Sequence, residues 1–344
     1  MLKRTLALVV SGAAAAAASI SLFAAPQAPL NIRMTTIAPA NTSWHKALTD
    51  MGDAWLRDTG GRVKLTVYAG GVQGSEEATL RMMRPGIETM QAGLYTSGGL
   101  ATIDEAFNVM GMPFFFESDE EELAVQTRLS PLFEQRLNAK GFHLLNWGTG
   151  GWVQIFSKKP LKTLDDVKAS KLYTSKGDDK MVQWYTRNGF HPVALLPSDI
   201  PAQLKLATGL IDTTPYPPYV ALASQIYRDA KYMLDAKLAP LVGATIISNE
   251  TWKKISADDQ AKITAAAKAL EARVRADGPK QDADSLAAMK TRGLDVTVPD
   301  ARAQADFRAA SSKLVTSMRG DMVPAEVFDQ AVAARDAFRK SKGK

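Results

Sequence analysis

Apolar positions along this chain repeat in two registers, every second residue or every 3.6, and the switches between them mark out the elements. Residues 30–36 and 63–68 alternate as strands, whereas 44–59 place their apolar residues at helical spacing and stop at Gly60-Gly61. Ser75 with Glu76-Glu77 opens a helix over 77–83. A strand is predicted at 89–95, a turn at Ser97-Gly98-Gly99, and an apolar segment at 110–116 broken by Pro113. Ser118 then caps a helix running to about Ala139, and the four acids from Asp119 to Glu122 complement the positive end of its dipole. They read as capping rather than as a catalytic or metal cluster.

Two strands at 142–147 and 153–157 flank Gly148-Thr149-Gly150-Gly151, where the chain is expected to pass from one lobe to another. A second alternating set follows: a helix from Leu164-Asp165-Asp166, a strand at 171–174, a helix at 178–188 and a strand at 191–195. A helix is predicted at 200–208 and a short strand at 210–212, and Pro215, Pro217 and Pro218 forbid a helix through their region. Strands at 231–234 and 242–248 are placed as returning to the first lobe. Residues 258–290, rich in Ala, Lys, Glu and Gln, read as one helix of roughly 45 Å at about 1.5 Å per residue, with a kink expected at Gly278-Pro279. A short strand at 294–298 and helices at 301–317 and 325–339 complete the chain. The reading is an α/β fold of two lobes joined by a long bridging helix. Lobe I takes 26–149, with about 236–260 returning to it. Lobe II takes 150–235, and 258–344 form the bridge and C-terminal helices.

A chain of 344 residues with 46% hydrophobic content is long enough for two cores. It opens with Lys3-Arg4, an apolar, Ala-rich stretch over 6–20 and then Pro26, the pattern of a secretory leader over 1–25 cleaved near Ala24 or Ala25. No later stretch is long and apolar enough to span a membrane. There is no cysteine, which excludes disulfides, thiol catalysis and a lipid-modified cysteine after the leader. A freely diffusing periplasmic protein is therefore expected. The net charge is +6, spread among acids without a basic run interleaved with aromatics, so no nucleic-acid partner is expected.

His45, His143 and His191 stand far apart, with no zinc-ligand spacing, and no Gly-x-Ser-x-Gly elbow, P-loop or dinucleotide fingerprint occurs. Gly148-Thr149-Gly150-Gly151 precedes a strand instead of opening a helix, the wrong setting for phosphate. No catalytic residue, metal or cofactor is predicted, and an exported binding protein is favoured over an enzyme.

Several segments resemble the DctP-type solute receptors of tripartite ATP-independent periplasmic (TRAP) transporters. These are Ala38-Pro39 with Trp44-His45-Lys46-Ala47, the run from Tyr68 through Gly70-Gly71-Val72-Gln73-Gly74 to Glu77, Met110 to Phe116, Ser157-Lys158-Lys159-Pro160-Leu161, Leu164-Asp165-Asp166-Val167-Lys168, and Leu210-Ile211-Asp212. The resemblance covers about 30–309. It implies two lobes closing on a small organic solute, and delivery to a small and a large membrane permease subunit driven by an ion gradient. An ABC-type receptor or a sensor-linked binding protein would share the same mechanics.

The resemblance also implies a ligand site. Where the family carries a carboxylate-binding arginine in a Lys-Ile-Arg strand, this chain has Lys171-Leu172-Tyr173. A second family arginine falls on Trp152, and a family asparagine falls on Tyr216. Three aromatic rings in place of polar anchors lead to the expectation of an apolar or aromatic solute, or a cation on aromatic faces, instead of a simple carboxylate. The alternative is a C4-dicarboxylate-like acid held by Lys171 or Lys176. Further candidates lie at strand ends and helix starts, where open α/β sheets bind ligands: Trp44, His45, Gln73, Glu76, Tyr95, Ser97, Trp147, Trp184 and Asp212.

Overall fold

The structure, a computed structural model, describes residues 28–343; the leader predicted at 1–25 lies outside them. The elements are β1 (Leu30–Thr36), α1 (Ser43–Asp58), β2 (Val63–Tyr68), α2 (Glu76–Met82), β3 (Ala92–Thr96), α3 (Ser97–Ala101), α4 (Asp119–Ala139), β4 (Phe142–Trp152) and β5 (Gln154–Ser157). There follow α5 (Leu164–Ala169), β6 (Lys171–Ser175), α6 (Asp179–Arg187), β7 (His191–Leu195), α7 (Ile200–Lys205), β8 (Thr213–Tyr216), α8 (Pro218–Ala223), β9 (Tyr232–Leu234) and β10 (Pro240–Ser248). The chain closes with α9 (Asn249–Lys253), α10 (Ala257–Thr291), β11 (Asp295–Thr297), α11 (Ala301–Met318) and α12 (Ala325–Ser341).

Two sheets define two lobes. The first has the order β2-β1-β3-β10-β4, with β1 parallel to β2 and β3, and β10 antiparallel to β3 and β4. The second has the order β11-β9-β5-β8-β6-β7. The chain leaves the first sheet at Trp152 and enters the second at Gln154. At the crossing the Val153 N–H donates to the Ala239 carbonyl at 2.8 Å, and the Leu238 N–H donates back to Val153 at 2.9 Å. Outgoing and returning strands are thus zipped together.

Five local expectations change. Of the two strands expected to return to the first lobe, 242–248 does so within β10, whereas 231–234 becomes β9 of the second sheet, because β5 and β11 pair with it there. The glycine run at 148–151 is not the crossing; it continues β4, because β10 supplies paired backbone as far as Pro240 opposite Trp152. Ser97-Gly98-Gly99 is not a turn but the start of α3, whose N-terminal Gly99 N–H is accepted by Thr96 Oγ1 at 3.0 Å. The strand predicted at 210–212 lies one step later, in β8, where Thr213 and Thr214 are buried between β5 and β6. The proline run does not exclude a helix. Pro218 occupies the first position of α8, where a missing N–H costs nothing.

Buried Ile32, Met34, Leu48, Met51 and Trp55 pack α1 on the first sheet, each side chain contributing about 1.5–3 kcal/mol on burial. A second first-lobe core, around Phe107, Phe133 and Trp147, runs on to Leu172, Trp184 and Phe190 of the second lobe, so apolar contact spans both lobes. Helix α10 has 35 residues, roughly 50 Å at about 1.5 Å per residue. Arg62 holds its first turn by a bidentate pair with Asp259, at 2.9 and 2.7 Å, and Met289 near its other end sits in the second-lobe core. It therefore bridges the lobes. Ser118 Oγ caps α4 by accepting from the Glu121 N–H at 3.2 Å. The acids of that turn also work individually: buried Glu122 takes Arg275 at 2.9 Å, and buried Glu121 takes Arg339.

Candidate functional site

The cleft between the lobes holds two adjoining compartments that share Ile37, Thr96, Pro197, Tyr216 and Leu241. The smaller, about 90 Å³, is walled by Trp44, Leu94, Tyr95, Tyr219, Val220 and Ile226. The larger, about 220 Å³, is lined by hydroxyls from Ser75, Thr96, Ser97, Thr102, Thr174 and Ser175, by Tyr173 and Tyr185, and by Glu76, Glu77, Lys176 and Asp178. One compartment is apolar and aromatic; the other is rich in hydrogen-bonding groups.

Tyr173 and Tyr216 stack at the junction with ring centroids 5.8 Å apart and planes 22° apart, and the Tyr173 hydroxyl is 3.3 Å from Ser175 Oγ. Their phenols are pushed up, first by burial. Glu76, in the first turn of α2, reaches the end of β3, where its carboxyl accepts from the Thr96 N–H and Oγ1–H, each at 2.6 Å. Gly99 leaves room for it: a Cβ there would stand 2.6 Å from the Glu76 carboxyl carbon. Burial raises the Glu76 carboxyl above its ordinary range, with the two Thr96 bonds opposing. Asp178 is likewise raised, first by burial, while its Oδ1 caps α6 by accepting from Met181 N–H at 3.0 Å. Glu77 is paired with Arg81.

Of the residues singled out from sequence, Trp44, Glu76, Tyr95, Ser97, Tyr173 and Tyr216 line the cleft. The others stand elsewhere. Trp152 faces a separate cavity with Phe114, Phe307 and Arg308, its indole N–H donating to Asp119 at 2.9 Å, because the backbone turns away from the cleft as it leaves β4. Trp147 is core, packed on Phe107 and Phe133 and donating to Ser130 Oγ at 2.7 Å. Trp184 is buried on the inner side of α6 against Tyr185, which lines the cleft in its stead. The His45 Nδ1 accepts from Asn41 N–H at 3.1 Å, within its own helix entry. Gln73 sits in the turn ahead of α2, outside the cleft lining. Asp212 ties β6 to β8 by accepting from Lys171 N–H at 2.9 Å. Lys171 lies outside the lining as well, its ammonium directed to the Gly209 carbonyl.

Sequence reading missed Tyr219, Val220, Tyr185 and Leu241. The signal available was Pro217-Pro218, which sets a helix start at a strand end and so aims Tyr219 and Val220 at the cleft.

The chain matches the DctP family, bacterial extracellular solute-binding proteins of family 7, over residues 34–321. It belongs to that family, whose members are solute receptors and not enzymes. A solute-binding protein of Chromohalobacter salexigens is 25% identical over 253 residues, 69% of this chain and 73% of that one. Among solved structures, TRAP periplasmic solute-binding proteins share the fold. One from Chromohalobacter salexigens with bound D-glucuronate has a TM-score of 0.80 at 22% identity, covering 89% of this chain and 99% of its own. One from Haemophilus influenzae with bound L-gulonate gives the same values. A Bordetella pertussis extracytoplasmic solute receptor with pyroglutamic acid has a TM-score of 0.80 at 19% identity, again covering 89% and 99%.

These relatives hold organic acids, and Trp152, one of the three rings behind the expectation of an apolar or aromatic solute, is outside the cleft. That expectation is corrected accordingly. No described helix is long and apolar enough to cross a membrane.

Proposed function

We propose that this protein is a periplasmic receptor that captures a small organic acid between its lobes and hands it to the small and large subunits of a TRAP permease, with Lys176 facing the acid group. The observation that carries this reading is Lys176 itself. Among the described residues it is the one lysine or arginine lining either compartment. It follows the last residue of β6, two strand positions beyond Thr174, and its own N–H is anchored on the Leu195 carbonyl at 3.0 Å.

The acids beside it have partners of their own: the Glu76 carboxyl accepts twice from Thr96, Asp178 caps α6 by accepting from the Met181 N–H, and Glu77 is paired with Arg81. A carboxylate entering this compartment meets one ammonium, a ring of hydroxyls that donate hydrogen bonds, and the stacked pair Tyr173 and Tyr216 as a floor for a flat or ring-shaped body. Hinge closure over the bound solute gives the receptor its signal, with no covalent step.

The test is thermal unfolding of the mature protein with D-glucuronate, L-gulonate, pyroglutamate and their neutral amide or alcohol counterparts. A solute at a hundred times its dissociation constant adds about 2.7 kcal/mol. The expected result is a shift with at least one acid, absent for its neutral counterpart and lost in Lys176→Gln. A shift by neutral solutes alone would overturn the assignment of an acid.

A further inference from the structure

One carboxylate outside the cleft lining joins the bridging helix to the end of β4 and to the start of α8. Asp282 lies on α10 shortly after Pro279. Its Oδ2 accepts from the Trp152 N–H at 3.2 Å, at the last residue of β4 before the crossing. Its Oδ1 accepts from the Tyr219 N–H at 3.2 Å, in the first turn of α8. The first turn of a helix leaves N–H groups without intrahelical partners, and Pro218 has no N–H, so that of Tyr219 is the first donor there to need a partner.

The local sequence is shaped around this contact. Gly151 has φ +84°, and a Cβ built on it would overlap Asp282 Oδ2. Only glycine combines that backbone with that clearance. Gly150, Tyr216, Tyr219 and Val220, on either side of the two donors, wall the apolar compartment. The carboxylate therefore ties the crossing strand and the second-lobe wall of the cleft to a single point on the bridging helix.

We propose that Asp282 is a positioning residue for solute capture, pinning the end of β4 and the start of α8 to α10 so that the cleft wall and the interlobe crossing move as one body. The proposal rests on the two-lobed receptor reading, not on the solute being an acid. Isolated loss of the pin frees α8 from the crossing and lets the lobes sample wider separations without dismantling either sheet.

The chain lacks cysteine, so Asp53→Cys in the first lobe and Lys162→Cys in the second, both exposed, give a clean pair of spin labels for the lobe separation. The experiment compares solute-free protein carrying Asp282, Asp282→Asn or Asp282→Ala. Asn keeps the shape but offers one acceptor oxygen. Amide exchange is followed alongside at Trp152 and Tyr219, with Ile32 and Met34 as sheet references. Expected in both variants are a lobe-distance distribution that broadens toward longer separations and a loss of protection of at least about tenfold at Trp152 and Tyr219, with Ile32 and Met34 unchanged. Gly151→Ala, which leaves the carboxylate but displaces it, is expected to behave alike. An unaltered distance distribution, or exchange that rises equally at all four amides, overturns the proposal, and neither result touches the acid-binding assignment.

Discussion

Lys180 of α6 and Glu105, ahead of α4, form an ion pair of 2.6 Å between the second lobe and the first. Beside it Gly177 packs against Glu77, so the lobes meet at the rim of the larger compartment. Both partners are partly exposed, at 40% and 45%, and such pairs are worth about 0.2–1 kcal/mol and are screened by salt. Lys180→Ala is therefore expected to speed solute release by roughly 1.4–5-fold, with little change in capture rate, and the difference should vanish in high salt. Stopped-flow release of a bound solute at two ionic strengths measures it.

The stacked tyrosines and Trp152 make opposite predictions. Tyr216 lines both compartments, so Tyr216→Ala removes wall from each and should weaken solute binding at least about tenfold, a loss of about 1.4 kcal/mol. Trp152→Phe keeps the ring in its own cavity and gives up only the bond to Asp119, so affinity should stay within about twofold. Calorimetric titration of both variants with the same solute decides; equal losses would return Trp152 to the cleft.

Glu76→Gln probes the bonds that hold β3 to α2. The amide oxygen can keep the Thr96 N–H bond while the NH₂ group faces the Thr96 hydroxyl, which turns from donor to acceptor. Both bonds keep a counterpart, so the loss expected in urea unfolding at neutral pH is at most about 1 kcal/mol, the net worth of one hydrogen bond.

Asp282 should leave a signature in the pH dependence of stability. Burial raises its carboxyl to about 6, with the Trp152 and Tyr219 N–H groups opposing and Asp119 adding to the rise. Because the folded value lies above the unfolded value near 4, the folded state holds the extra proton between them. Stability conferred by that proton is present below about 4 and is lost as the pH rises through about 6. The stability of the native protein relative to Asp282→Asn should accordingly fall across pH 4 to 6 and level off above. A constant difference across that window in thermal unfolding would contradict the raised carboxyl.

Arg275→Met tests the buried pair between α4 and the bridging helix. Glu122 is fully buried and raised by desolvation even beside Arg275, and its Oε1 has no partner. Removing the arginine strands the acid, a loss of about 3–5 kcal/mol, whereas Glu122→Leu with Arg275→Met should recover most of it. Chemical denaturation of the single and double variants separates the two outcomes.

Much of this architecture is written in local pattern. Period-two runs place β1, β2 and β7, and period-3.6 runs with their caps place α1, α4 and the 35-residue α10, because these elements are set by neighbours within a few residues. The strand 210–212 slid into β8, and Ser97-Gly98-Gly99 became a helix start, because strand pairing with β5 and the Thr96 cap outweigh weak local preference.

The site was less legible. Glu76 stands at a helix start, a position that the alternation of elements identifies without coordinates, whereas Tyr173, in the middle of β6, and Tyr216, at the end of β8, are marked only by the resemblance to the DctP family. Trp147, Trp152 and Trp184 are of the same chemical kind and occupy comparable positions, yet they are in the core or on another face. Which side of a strand or helix meets the other lobe depends on how two sheets are set against each other, and no local period carries that.

By itself, then, the sequence determined the class of fold, the bridging helix and the absence of thiol chemistry, since these follow from composition and from contacts close along the chain. The tertiary structure alone decided which rings wall the cleft, that Lys176 and not Lys171 faces it, and that Asp282 meets Trp152 and Tyr219. Those are meetings of residues far apart in the chain, fixed by packing and by the need of buried backbone donors for acceptors.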